Sequence, residues 1–260
     1  MAKGMNFKIR KNELMKAIKN GKEHKIPQLL ERYNINTQTK DGTPLTLSIE
    51  KEMYSVAKSF IRRGANVMAL DGKRRNSLML CILKNNQELF NQIIMQKNDF
   101  NHKDIFGSTC LMYACLKKNP YFIEKLIAQD LEINLKNKEG NTALIIASMV
   151  NSYESVKLLV KKRALVNEKN SLGKSALMYS AGNGNLRMFE LLMNNNAKIK
   201  DKDNEEYGVL DHALLNGNLN VVERILNKGI FQVKENIISE IPLQFKYKIR
   251  KIFEKYEIIL

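Results

Sequence analysis

Cysteine, proline, glycine and histidine are all scarce in this chain of 260 residues, which holds 3, 4, 13 and 3 of them. Three cysteines cannot build the dense disulfide framework of a small secreted scaffold, so a reducing compartment is expected. So little glycine and proline excludes collagen-like and proline-rich linker material. No stretch of about 18 apolar residues occurs, which excludes a membrane-spanning helix. The start, Met1-Ala2-Lys3-Gly4-Met5-Asn6-Phe7-Lys8, is charged and lacks the apolar segment of a secretory signal, and a cytoplasmic location follows as the expectation. What the chain does have is charge of one sign: 43 Lys+Arg against 27 Asp+Glu, a formal +16, with 44% hydrophobic residues to build a core. Thirty asparagines accompany abundant lysine and isoleucine, a bias that reads as codon usage.

Residues fit for chemistry are few and scattered. His24, His102 and His212 lie far apart, and no base–nucleophile set forms around them. Cys110 and Cys115 are five residues apart and Cys81 stands alone, so no Cys-x-x-Cys metal spacing exists and all three read as free buried thiols. Gly182-Asn183-Gly184-Asn185 lacks the Gly-Lys-Ser/Thr that a phosphate loop requires. No catalytic residue, metal ligand or cofactor site is predicted, and the chain is expected not to be an enzyme.

The chain is instead organised by a repeat. Leu45, Leu78, Leu111, Leu144, Leu177 and Leu210 recur every 33 residues. Three residues after each comes a small one: Ser48, Cys81, Ala114, Ala147, Ser180 and Ala213. Twelve further on is a large apolar residue, Phe60, Ile93, Leu126, Leu159, Leu192 and Ile225, and the position after that is apolar too. In the copy starting at Asn134, Asn137-Lys138-Glu139-Gly140 is a turn in which Gly140 supplies positive φ. Thr142 offers a hydroxyl to the start of a first helix over 143–149, and Val156, Leu158, Leu159 and Val160 line a second. Neither helix can bury its apolar face alone, so the copies must stack.

These residues resemble the ankyrin repeat, with its Thr-Pro-Leu-His-x-Ala signature and 33-residue period. Thr43-Pro44-Leu45, Gly107-Ser108-Thr109-Cys110-Leu111-Met112-Tyr113-Ala114 and Gly140-Asn141-Thr142-Ala143-Leu144 carry the likeness. Proline survives in one copy only, and the signature histidine, which ties neighbouring repeats in the family, is replaced by Thr46, Met79, Met112, Ile145, Met178 and Asp211. The resemblance implies an all-α solenoid, an ankyrin-repeat stack of antiparallel helix pairs with short β-hairpin loops. The expected layout is a basic arm over 1–12, a capping helix pair over 13–36, six repeats over 37–230 and a capping amphipathic helix segment over 231–260. In that last segment Phe245, Ile249, Ile252, Phe253 and Tyr256 share a face opposite Lys248, Arg250, Lys251 and Lys255.

The resemblance further implies a protein partner held in a concave groove formed by hairpin tips and first helices. By phase, the apolar residues facing that groove are Leu70, Ile105, Phe106, Leu116, Met149, Val150 and Leu172, a cluster of the kind that marks an interaction site, with Phe106 its natural anchor. The cations facing it are Lys73 and Arg75, with Lys103, Lys136 and Lys169 in one repeating slot that Lys202 continues. With +16 overall, they predict a partner with an acidic surface, bound by a monomer. Two other readings follow from charge and tail: contact with nucleic acid or an anionic membrane, and an adaptor whose Ile241-Pro242-Leu243 segment resembles the start of an F-box-like tail.

Overall fold

The structure, a computed structural model, describes residues 13–96 and 99–258. The basic arm expected over 1–12 lies outside the described residues. Among those described, regular structure is helical, and three isolated antiparallel bridges, Thr39 with Gly42, Lys169 with Ser175 and Lys202 with Gly208, mark hairpins. The chain divides into two compact units, Met1–Lys117 and Lys118–Leu260.

In the first unit, α1 (13–19), a 3-10 turn at Glu23–Lys25 and α2 (Ile26–Leu30) precede α3 (Pro44–Glu50), α4 (Tyr54–Arg62), α5 (Ser77–Leu83), α6 (Gln87–Ile94) and α7 (Cys110–Leu116). α3 packs on α4 and α5, and α5 on α6 and α7. Leu14, Ala17 and Ile18 of α1 and Ile26 and Leu30 of α2 are buried, and Pro27 sits in the first turn of α2, where its missing N–H costs least.

In the second unit come α8 (Pro120–Leu126), α9 (Ala143–Met149), α10 (Tyr153–Lys161), α11 (Ala176–Gly182), α12 (Leu186–Met193), α13 (Val209–Leu215), α14 (Leu219–Leu226), α15 (Ile237–Glu240) and α16 (Leu243–Lys255). Here α9 packs on α10 and α11, α11 on α12 and α13, and α13 on α14. α16 lies against α14. It buries Ile249 and Phe253 and leaves Lys248, Arg250, Lys251 and Lys255 in water.

The 33-residue columns explain the packing. The leucine column, from Leu45 to Leu210, and the small column, from Ser48 to Ala213, are buried throughout. So is the column from Phe60 to Ile225. The apolar position after it is only half-buried at Ile61, Ile127, Val160 and Met193. Burial passes instead to positions three and four residues earlier: Leu89 and Phe90, Phe122 and Ile123, Met188 and Phe189. That is the i, i+3, i+4 face an amphipathic helix turns inward.

Each first helix begins at a cap in register. The side chains of Thr43, Asn76, Thr109, Thr142 and Ser175 accept the backbone N–H three residues on. A second column closes each first helix with left-handed backbone: Glu52 and Asn85 in the first unit, and Lys118, Asn151, Gly184 and Gly217 in the second, all with φ between 54° and 67°. Asparagine tolerates this conformation better than most residues. Asn86, Asn119 and Asn185 then cap the second helices. Six of the thirty asparagines that read as codon bias in the sequence therefore have structural work at helix ends.

Candidate functional site

Beyond the first hairpin, which Thr39 forms with Gly42, five described tips are built the same way around one acidic or amide side chain. Asp71 and Asp104 in the first unit, and Asn137, Asn170 and Asp203 in the second, each accept two backbone N–H groups through Oδ1, from residues i+2 and i+4, at 2.8–3.0 Å. Left-handed backbone follows at Arg74, Gly107, Gly140, Gly173 and Glu206. The chain is thereby pinned on both sides of residue i+2, whose side chain is thrown into solvent: Lys73, Phe106, Glu139, Leu172 and Glu205 are all exposed. A constant polar anchor thus presents a variable outward side chain, and the Asp/Asn column at 33-residue spacing was the signal that would have identified it in the sequence.

Some tips are braced from behind. The Tyr113 hydroxyl donates to Asp104 Oδ2 at 2.5 Å. Burial, followed by that hydrogen bond and the carboxylate charge, pushes the phenol well above its ordinary value, so it stays a donor. Asn170 bridges Asn141 and Tyr179 through Nδ2. His212 Nε2 lies 2.9 Å from Asp203 Oδ2. Burial, then the Lys174 charge, lowers the His212 pKa, which makes this contact a hydrogen bond from a neutral imidazole at neutral pH.

Tips are also tied to their neighbours along each unit. Ile105 N–H donates to Lys73 O in the first unit, and Ser171 N–H to Glu139 O and Asn204 N–H to Leu172 O in the second. Of the six residues that replace the signature histidine, Thr46 closes a capping box with Thr43, and the Asp211 carboxylate accepts the N–H groups of Gly208 and Lys234.

Against this frame the predicted site residues separate. In the first unit Ile105, Phe106 and Leu116 are exposed, Phe106 at 54%, and Lys73 and Lys103 are exposed beside them. In the second unit Met149 and Leu172 are exposed, Leu172 at 57%, as is Lys136. Two apolar expectations need correction. Leu70 and Val150 are half-buried, Val150 because it caps the end of α9.

Arg75 is corrected as well. Its side chain is only 12% exposed, with Nη2 2.5 Å from Asp71 and 3.1 Å from Glu50. Burial works against its charge, but the two carboxylates outweigh that and raise its pKa, so it is an internal ion pair and no outward cation.

The lysine slot is corrected in its second half. Lys136 Nζ donates to Lys169 O at 3.0 Å and pairs with Glu168 at 2.7 Å. Lys169 Nζ donates to Lys202 O at 2.8 Å and pairs with Asp201 at 3.3 Å, while Lys202 pairs with Glu206. Lys136 and Lys169 thus lace one repeat to the next, while Lys202 braces its own hairpin.

Cys81, Cys110 and Cys115 are free and buried. Among the described residues no group of three or more His, Cys, Asp or Glu could hold a metal ion, and no helix is long and apolar enough to cross a membrane.

The hairpins, paired helices and 33-residue register agree with comparison against known families. The chain matches the family model described as ankyrin repeats over residues 14–104, 78–170 and 163–236, and it belongs to the ankyrin-repeat family. A search of curated proteins finds no match. Ankyrin repeats are in general protein–protein interaction modules, and proteins built from them are typically non-catalytic scaffolds.

Proposed function

We propose that this protein is a non-catalytic scaffold that binds a protein partner with an acidic surface, using hairpin tips and the ends of the first helices. The observation that carries the reading is the tip column, in which an invariant Asp or Asn anchor holds out Lys73 and Phe106 in the first unit and Leu172 in the second. Rigid tips lose little conformational freedom on binding, which leaves more of the contact energy for affinity. In the first unit Phe106 and Leu116, and in the second Met149, bury against the partner, and Lys73 and Lys103 of the first draw its acidic surface in, raising the association rate more than the residence time. The scaffold works as a monomer in the cytoplasm.

Contact with nucleic acid is less well supported. Phe106 is the one aromatic among the outward residues of the described tips, so bases have no row of rings to stack on, and Glu139 and Glu205 at two other tips would repel phosphates. The tail is better read as a cap than as a second adaptor site. Phe245 lies flat over Gly217, Lys255 pairs with Glu223, and the Tyr256 hydroxyl donates to Asn227.

The test is affinity capture from native lysate with wild type and a Phe106→Glu, Met149→Glu variant, at low and high salt, after both show the same helical circular dichroism. One protein held by wild type and lost by the variant at both salts is the expected result. Capture of nucleic acid or lipid that survives the variant and vanishes at high salt would sink the reading.

A further inference from the structure

The first unit contains a cleft of about 340 Å³ whose lining pairs off unequally. Its floor is the Arg75 ion pair, held between Asp71 and Glu50, and one side is closed by Lys19 on Asp41 at 2.6 Å. The Lys19 hydrogen bond and charge hold the Asp41 carboxyl below its ordinary range, so that pair is charged at neutral pH. Three lysines of the same cleft, Lys40, Lys51 and Lys73, are exposed and form no ion pair among the described residues. Gly72 lies so close to Lys40 O that a Cβ there would come within 2.7 Å of it, which fixes the spacing of two of the cations through backbone contact. The third, Lys51, is the residue that caps the end of α3.

We propose that this cleft seats the acidic segment of a protein partner, its carboxylates on Lys40, Lys51 and Lys73, with an adjacent apolar side chain resting on Ile105 and Phe106. The proposal rests on the scaffold reading above and names the part of the partner that is recognised. Charge complementarity selects the ligand, since the cleft's surplus is positive once its internal pairs are discounted. The carboxylates of Asp41, Glu50 and Asp71 in the same wall select against a continuous chain of phosphates, whereas the separate carboxylates of a peptide can be placed on the three lysines. The cleft is lined by no aromatic ring on which a base could stack. Continuity with the apolar tip is direct, because Ile105 N–H donates to Lys73 O at 3.1 Å and Phe106 is the next residue. The partner's recognition element is therefore short: carboxylates followed within a few residues by leucine or phenylalanine.

The test uses the full chain and a fluorescein-labelled twelve-residue peptide of Glu and Asp around a central Leu-Phe, read by anisotropy. Lys40→Glu, Lys51→Glu, Lys73→Glu should weaken binding about 30-fold, the combined worth of three exposed ion pairs. Lys161→Glu, Lys162→Glu, Lys228→Glu removes the same charge elsewhere and should change it less than about 3-fold. Phe106→Ser should abolish the preference for this peptide over one with Gly-Ser at its centre. Equal losses in the two triple variants, no binding by wild type, or better competition by inorganic polyphosphate or a single-stranded oligonucleotide would each overturn the proposal. If those results appear while the Phe106→Glu, Met149→Glu variant still loses its captured protein, only the seat is wrong. If that protein also stays bound, the scaffold reading falls with it.

Discussion

Lysines at and beside the hairpins do different jobs in the two units, although Lys58 and Lys84 of the first also reach an acid of a neighbouring repeat. In the second, Lys136 and Lys169 each meet a carboxylate 32 residues ahead, Glu168 and Asp201, and a backbone carbonyl 33 residues ahead, so their charge is consumed in joining repeats. In the first, Leu70 and Lys103 occupy the slot, and further cations stand on the tip and cleft at Lys40, Lys51 and Lys73 without ion-pair partners among the described residues. The outward tip residues follow suit: Lys73 and Phe106 in one unit, Glu139, Leu172 and Glu205 in the other. A formal +16 therefore says little by itself; what matters is whether a repeat supplies an acid in the matching register.

The strongest way to break the comparison is to remove Arg75, an internal cation of the first unit. Arg75→Ala leaves the nearly buried Asp71 carboxylate with only its two backbone donors. Breaking a buried pair costs several kcal/mol, and because Glu50 is well exposed we expect about 2–4 kcal/mol in urea unfolding. Arg75→Lys should recover less than half of it, since one ammonium cannot reproduce the planar two-carboxylate fork. Thiol labelling gives a local readout, because Cys81, Cys110 and Cys115 all lie in the first unit, buried, with Cys110 pushed up to about 12 by desolvation. Their alkylation should quicken in Arg75→Ala; unchanged rates would mean that the ion pair does not hold this unit closed.

In the second unit the corresponding weak point is a close approach of backbone to ring. Gly217 has φ +66°, and a Cβ there would stand 2.5 Å from the Phe245 ring. Gly217→Ala should cost about 1–3 kcal/mol and speed hydrogen exchange across α16. Exchange that stays slow would show that α16 is held by Ile249 and Phe253 without this contact.

How much of this was legible depends on whether something packs against the residue. Leu144 and Ala147 are fixed in type because each meets the same neighbours in every copy, so a period of 33 exposes them at once. Phe90, Ile123, Val156 and Phe189 also line the core, yet they vary in size because each is fitted to a different pair of helices, and the reading of the sequence passed over all of them but Val156. The tip residues Lys73, Phe106 and Leu172 share a position but no chemistry, since solvent imposes none. Arg75 looks like its basic neighbours Lys73 and Arg74; only folding brings Glu50, 25 residues away, to its guanidinium.

A smaller effect is a pH response confined to the second unit. Burial, then Lys174, lowers the folded pKa of His212 below its ordinary 6.5, against the pull of Asp203 and Asp211. The unfolded chain therefore takes up the proton first. The contribution of His212 is complete above about pH 6.5 and is lost as pH falls from there through the folded value. Asp211, whose carboxyl burial raises, acts with the opposite sign and in the acid range. Urea midpoints should drop on mild acidification in wild type and hold steady in His212→Gln; a parallel drop in both would assign the response elsewhere.

The smallest expected effect is also the sharpest test of the comparison. Lys136, Lys169 and Lys202 keep between a third and a half of their side-chain surface in water, so solvent screens their ion pairs and each is worth less than about 1 kcal/mol. Methionine at each position keeps much of the apolar stem while removing the ammonium, which reaches the next repeat from Lys136 and Lys169 and Glu206 of the same hairpin from Lys202. The triple Lys→Met variant should lose about 1–2 kcal/mol, because the lost pairs are few and exposed. It should still bind the acidic peptide as wild type does, even though it has lost three positive charges. The Lys40, Lys51, Lys73 reversal should show the inverse, an unchanged urea midpoint with binding weakened about 30-fold. If instead the triple methionine variant is as stable as wild type and binds the peptide more weakly, the slot lysines are free surface cations after all, and charge serves the same purpose in both units.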